Sequence, residues 1–226
     1  MSRPLMLRRA AAFALIAALL PAALLAQPPS PTGLYRATAG PDTASMIELA
    51  PDGRFHYQLS EGALDEEAGG RWTQTKEGVT LLTLPRPRPP EFRLGEIGEA
   101  KDAAFSLMVN LQGSGPLAGV YVRIGFTNGD RQASSTQFDG WSLPADETRQ
   151  PAWFELTEPI HGAVSPRFPL PERKNIAVTV TLTPNDIGVA DFTNTPVTMT
   201  SDKLVLHWRG RDIPYARAKL PPRQPR

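Results

Sequence analysis

From Ile176 to Thr183 the chain follows a strict two-residue repeat. Ile176, Val178, Val180 and Leu182 alternate with Ala177, Thr179, Thr181 and Thr183. Side chains on a strand point to opposite faces in turn, so this spacing yields one buried and one solvated face. The same period runs through Phe105, Leu107, Val109 and Leu111, and through Val120, Val122, Ile124 and Phe126. Phe55, Tyr57 and Leu59 repeat it. Proline occupies 24 of 226 positions, about twice its usual ~5%. Much of it clusters between these runs, where turns and linkers need it. A chain punctuated in this way folds as short strands, so the expected class is all-β.

The amino terminus reads differently. Arg3, Arg8 and Arg9 precede an unbroken apolar run over residues 10–20, Pro21 breaks the helix, and residues 22–26 end on Ala26. Charged, apolar and small segments in that order make a secretory signal peptide over residues 1–26. The apolar stretch is shorter than the roughly 20 residues a spanning helix needs, which favours cleavage over anchoring. The residues after Arg8-Arg9 fit twin-arginine export poorly, so the general route is expected.

The chain has no cysteine. An exported fold must then hold without disulfides, and thiol chemistry, lipoprotein lipidation and Cys-based metal sites are excluded. Without Arg3, Arg8 and Arg9, 21 basic side chains face 23 acidic ones. That balance calls for neither nucleic acid nor an anionic membrane surface.

Residues 27–32 form a Pro-rich leader, expected to be disordered. A small antiparallel meander or half-barrel is expected over residues 33–84, with Pro51-Asp52-Gly53 as a turn and residues 61–68, rich in acids, as a helical turn or loop. So small a unit needs a partner surface, and packing against the second block is expected. Residues 85–90, Pro-Arg-Pro-Arg-Pro-Pro, form a stiff linker. Residues 91–218 carry six or seven strand patterns, the last at Leu204, Leu206 and Trp208, and read as an Ig-like β-sandwich. Thr127-Asn128-Gly129-Asp130 predicts a type I′ hairpin turn. The Pro-rich stretch from Pro144 to Pro171 is expected to wrap the sandwich edge, with Trp153, Phe154 and Leu156 in one strand. Residues 219–226 form a basic tail, expected to be disordered.

Two resemblances follow from local motifs. Gly115-Pro116-Leu117-Ala118-Gly119-Val120-Tyr121-Val122, with Thr136-Gln137-Phe138-Asp139-Gly140-Trp141, resembles the transthyretin-like or carboxypeptidase-regulatory type of β-sandwich. That family is mostly accessory, which implies structural or binding work and no site residues. Gly33-Leu34-Tyr35, then residues 49–55 (Leu-Ala-Pro-Asp-Gly-Arg-Phe), then Gly70-Arg71-Trp72 are similar to lipocalin-like half-barrels of bacterial envelope proteins. This likeness implies an apolar pocket lined by Tyr35, Phe55, Tyr57 and Trp72. The Cys pairs of some relatives are missing, so no metal or redox role carries over.

Catalytic signals are absent from the sequence. His56, His161 and His207 have no ligand-like spacing. Glu61, Asp65, Glu66 and Glu67 lack the ligand order of a calcium loop and read as a solvated face. Gly113-Ser114-Gly115 lacks the strand-to-helix context of a nucleophile elbow and reads as a hairpin. Trp141 and Trp153 are the two tryptophans open to an exposed, functional placement; side by side they would favour sugar binding.

The expected protein is an exported, non-enzymatic binding or scaffold protein of the periplasm or cell envelope. It needs no cofactor, spans no membrane once the signal is cut, and meets an envelope protein or small molecule. The alternatives are a small-ligand binder with a lipocalin-like pocket, and a carbohydrate-binding or carbohydrate-acting protein. Mass spectrometry of the exported product should place the mature terminus at Gln27. A membrane-bound product that keeps Arg8-Arg9 is the opposite outcome.

Overall fold

The computed structural model describes residues 30–38 and 40–218. The expected signal peptide and basic tail lie outside these, as does most of the leader. Every regular element among the described residues is a strand. Five come first: β1 (Gly33–Ala37), β2 (Thr43–Leu49), β3 (Arg54–Glu61), β4 (Leu64–Gln74) and β5 (Gly78–Thr83). Ten fill the middle of the chain. They are β6 (Glu91–Glu99), β7 (Phe105–Leu111), β8 (Gly115–Pro116), β9 (Tyr121–Phe126) and β10 (Arg131–Ser135), followed by β11 (Trp141–Leu143), β12 (Pro151–Glu158), β13 (Ala163–Val164), β14 (Phe168–Pro169) and β15 (Ile176–Thr183). Last are β16 (Thr193–Thr200), β17 (Lys203–Trp208) and β18 (Arg211–Arg217).

The first five strands form the expected antiparallel meander, but the meander does not stop as a half-barrel. It closes into an eight-stranded barrel in the order β1-β18-β17-β16-β5-β4-β3-β2. The partner surface is the end of the chain. Leu204, Leu206 and Trp208 were expected to finish the second block; they pack instead with Ile47, Tyr57 and Leu81 in the barrel core. The expected boundary at residues 91–218 is therefore corrected. Residues 193–217 belong to the barrel, and residues 91–183 are inserted between β5 and β16. Period two tells which face of a strand is buried, not which sheet receives it.

A second correction concerns residues 61–68. They form no helical turn, because β4 runs from Leu64 and pairs with β3 through Glu61↔Leu64, Leu59↔Glu66 and Tyr57↔Ala68. Strand alternation turns Glu66 and Ala68 inward and leaves Asp65 and Glu67 exposed. The acids are thus divided between two faces, and the pattern is amphipathic despite its charge.

The insert consists of two five-stranded sheets, β10-β9-β12-β13 with β14 on β12, and β11-β7-β15-β6 with β8 on β7. They share one core: Ile124, Phe154 and Leu156 of the first meet Phe105, Val109 and Val180 of the second. The Phe105 and Phe154 rings stand 5.8 Å apart across the gap. The Trp153 strand is β12, which lies between β9 and β13 inside its sheet and not at an edge. The β9–β10 turn also differs from expectation. Gly129 N–H donates to Phe126 O at 3.0 Å and only Gly129 of the turn is left-handed, at φ +91°. This is a type I turn with a glycine bulge, so Asn128 avoids the strained conformation a type I′ turn demands.

Barrel closure is completed by a residue outside its strands. Phe192 precedes β16 and is fully buried. Its ring lies 5.9 Å from Phe55, 4.9 Å from Tyr57 and 4.7 Å from Trp208. Eight strands enclose a space just wide enough for side chains, so one large ring fills it. Phe192→Ala should cost about 3–5 kcal/mol through lost burial and the cavity left behind, measured by urea unfolding of the purified protein. An unchanged midpoint would show that the ring does not fill the barrel.

Candidate functional site

The four residues expected to line a pocket, Tyr35, Phe55, Tyr57 and Trp72, all belong to the barrel core. The structure brings them together, but around the chain's own atoms. Tyr35 hydroxyl donates to Pro31 O at 2.9 Å, and Trp72 Nε1 donates to Ala50 O at 2.9 Å. Phe55 and Tyr57 face Phe192. Where a hollow barrel would seat a ligand, this one seats Phe192. Nothing in the sequence signalled that role, since Phe192 lies in a loop with no apolar period.

Polar groups gather at the rim where β5 ends and β16 begins. Arg209 Nη2 meets Glu66 Oε1 at 2.7 Å, and Arg211 reaches Glu61 at 3.2 Å. These pairs tie the β17–β18 hairpin to the β3–β4 hairpin. Glu61 and Arg211 are more exposed, so their pair adds little, whereas Glu66 is buried against Arg209. Beneath the rim, Ser45 Oγ donates to Gln58 O and lies 2.8 Å from the Tyr215 hydroxyl. Among the described residues, Tyr57 hydroxyl, Glu66 Oε2 and Trp208 Nε1 are buried with no hydrogen-bond partner.

Just outside this rim lies a cleft of about 350 Å³. Three parts of the molecule bound it. The barrel supplies Glu66 and Arg209, the strap over residues 86–90 supplies Arg86 and Arg88, and the insert supplies His161. The return segment from Asp186 to Asp191 forms the remaining wall. Strap and return segment are bonded to each other. Arg88 N–H donates to Asp186 Oδ2 at 2.7 Å, Asp186 N–H donates to Arg88 O at 3.1 Å, and Asn185 Nδ2 donates to Pro89 O at 2.8 Å. The expected stiff linker is therefore one half of a two-stranded connection. Gly188, at φ +84°, turns the return segment past the barrel; a Cβ there would stand 3.2 Å from Asp65 O and 3.9 Å from His161 Nε2.

His161 is held from behind. Glu158 is buried and accepts from Ile160 N–H and His161 N–H at 2.9 Å each, and its Oε2 lies 3.2 Å from His161 Nδ1. A ring whose Nδ1 faces a carboxylate presents Nε2 as its open atom. The sequence carried a faint sign of this pair in the Glu158-x-x-His161 spacing, but the Pro-rich context obscured it. The other histidines do not line the cleft. His207 Nδ1 lies 2.7 Å from Asp212, with Nε2 at 3.1 Å from Thr198 Oγ1, and His56 lies on the outward face of β3. Among the described residues, no three His, Asp or Glu side chains stand as a metal cage.

The two tryptophans singled out do not form one platform. Trp141 is on β11, with its ring 6.0 Å from Phe105, while Trp153 is on β12 in the other sheet, covered by Arg167 at 3.9 Å.

The barrel interior carries its own pH signature. Burial pushes the Tyr57 hydroxyl well above its ordinary value of 10.0, and the neighbouring Tyr215 and Glu66 push it further. Burial raises Tyr215 and Tyr35 as well. A folded pKa above the unfolded one favours the neutral phenol in the fold. That contribution is complete below pH 10 and is lost as pH rises through the folded values. Alkaline difference spectroscopy should show these three tyrosines ionising late, together with unfolding. Ionisation near pH 10 in the folded protein would contradict their burial.

No protein-family model matches this chain, and neither a curated protein nor a solved structure matches it significantly.

Proposed function

We propose that this is an exported, non-enzymatic binding protein of the bacterial periplasm or cell envelope, and that its ligand sits in the cleft between barrel rim, strap and insert. One observation carries this reading. The barrel interior is occupied by Phe192, whereas the cleft at its rim is open and gathers charged side chains from three separate parts of the chain. Ligand sites favour junctions between compact units, where a few convergent polar groups line a concave surface. His161 has an orienting carboxylate but no hydroxyl or thiol nucleophile among the residues bounding the cleft. That supports binding over covalent catalysis.

Export rests on the signal-like order of residues 1–26. The barrel is in keeping with the lipocalin-like resemblance of residues 33–84. For the insert the proposal is a transthyretin-like β-sandwich, a reading supported by its motif at residues 115–122 and by its two sheets around one core. The second reading, a ligand inside the barrel among Tyr35, Phe55, Tyr57 and Trp72, requires Phe192 to leave its place.

A thermal-shift panel of metal ions, fatty acids, haem-like molecules and cell-wall glycans separates the two. A ligand at ~100 times its Kd adds ~2.7 kcal/mol of stability. Ile187→Trp, which fills the cleft, should abolish the shift, and Tyr57→Phe should leave it intact. The reverse pattern would move the site into the barrel.

A further inference from the structure

The cleft has a surplus of donors. Each of its carboxylates is already engaged. Asp186 accepts from Arg88 N–H, Asp191 lies 3.3 Å from Arg86 Nε, and Glu66 pairs with Arg209 through Oε1 while its Oε2 is closed off from solvent. The guanidinium groups are only partly engaged. Arg86 is held through Nε alone, and the Nε of Arg88 stands 3.8 Å from Asp186. Among the described residues, the terminal nitrogens of both arginines have no partner. Arg86, bonded at Nε, keeps its two terminal N–H groups as a fork, the geometry that grips a carboxylate or phosphate through two parallel hydrogen bonds, and the Arg88 guanidinium, beyond hydrogen-bond reach of Asp186, keeps its own fork.

The strap presents these forks at low cost. Pro87 and Pro89 lock the backbone on either side of Arg88, and Asp186 and Asn185 bond the strap to the return segment. Little backbone freedom is then left to lose on binding.

We propose that the cleft, taken as the ligand site argued above, binds a small soluble oxyanion, a carboxylate or phosphate, on the terminal guanidinium nitrogens of Arg86 and Arg88. The inference rests on that site assignment and adds the ligand's chemical class.

Titration calorimetry of the purified protein with citrate, and separately with inorganic phosphate, tests it at low ionic strength. Saturable binding of at least one is expected, weakened about tenfold or more by Arg86→Gln with Arg88→Gln. Arg54→Gln with Arg93→Gln removes two charges elsewhere; these arginines pair with Asp52 and Glu91. That variant should bind as the parent does. Absence of saturable binding by either anion overturns the inference, and so does binding that both double variants weaken equally. If neither anion binds while Ile187→Trp still abolishes the shift of another ligand, the anion class alone fails. If anions bind but Ile187→Trp changes nothing, the cleft assignment falls with it.

Discussion

The pairing of β5 with β16 is the contact on which the rest depends. It joins Val79 to Val197 and Leu82 to Thr193 across the whole length of the insert. Without it the barrel is an open sheet with two free edges, β5 and β16, joined only through the β1–β18 pairing at its middle. Closing a flexible loop of roughly a hundred residues costs on the order of 4 kcal/mol in chain entropy alone. The insert lowers that cost by being folded itself, with its own sheets and its own core. Its two connections leave side by side and are bonded to each other at Arg88, Pro89, Asn185 and Asp186. The ends that β5 and β16 must bring together are thus already close.

The same crossing point generates the site. A chain that leaves a barrel and returns beside its own exit leaves two segments over one rim. Here they bring Arg86 and Arg88 to a place where the barrel offers Glu66 and Arg209 and the insert offers His161. The return segment also delivers Phe192 into the barrel. Filling the interior and shaping the cleft outside it are consequences of one connection, so changes there affect stability and surface together.

Much of the local structure was legible. β3, β7, β9 and β15 fall on the runs whose apolar residues alternate, and Pro51-Asp52-Gly53 is a turn in which Gly53 takes φ +81°. The start of β4 was not legible, because Asp65, Glu66 and Glu67 hide a two-residue alternation behind three acids in a row. Tyr35, Phe55, Tyr57 and Trp72, expected to line a ligand pocket, lie together in the barrel core, and the packing of Phe192 against Phe55 and Tyr57 was not legible. The cleft was missed altogether. Its charged residues are drawn from positions 66, 86, 88, 161, 186, 191 and 209, and no local pattern links them.

By itself the amino-acid order determined that this chain is built of short strands, which face of each is apolar, and that no disulfide holds it. Those are local consequences of alternation, proline and missing cysteine. Tertiary structure alone decided that the last three strands complete the barrel of the first five, that a loop phenylalanine fills it, and that a charged cleft forms at the crossing. The physical reason is that backbone hydrogen bonds between strands are blind to side-chain identity. Which strand meets which is settled by the burial of two complete cores at once, a property of the whole chain.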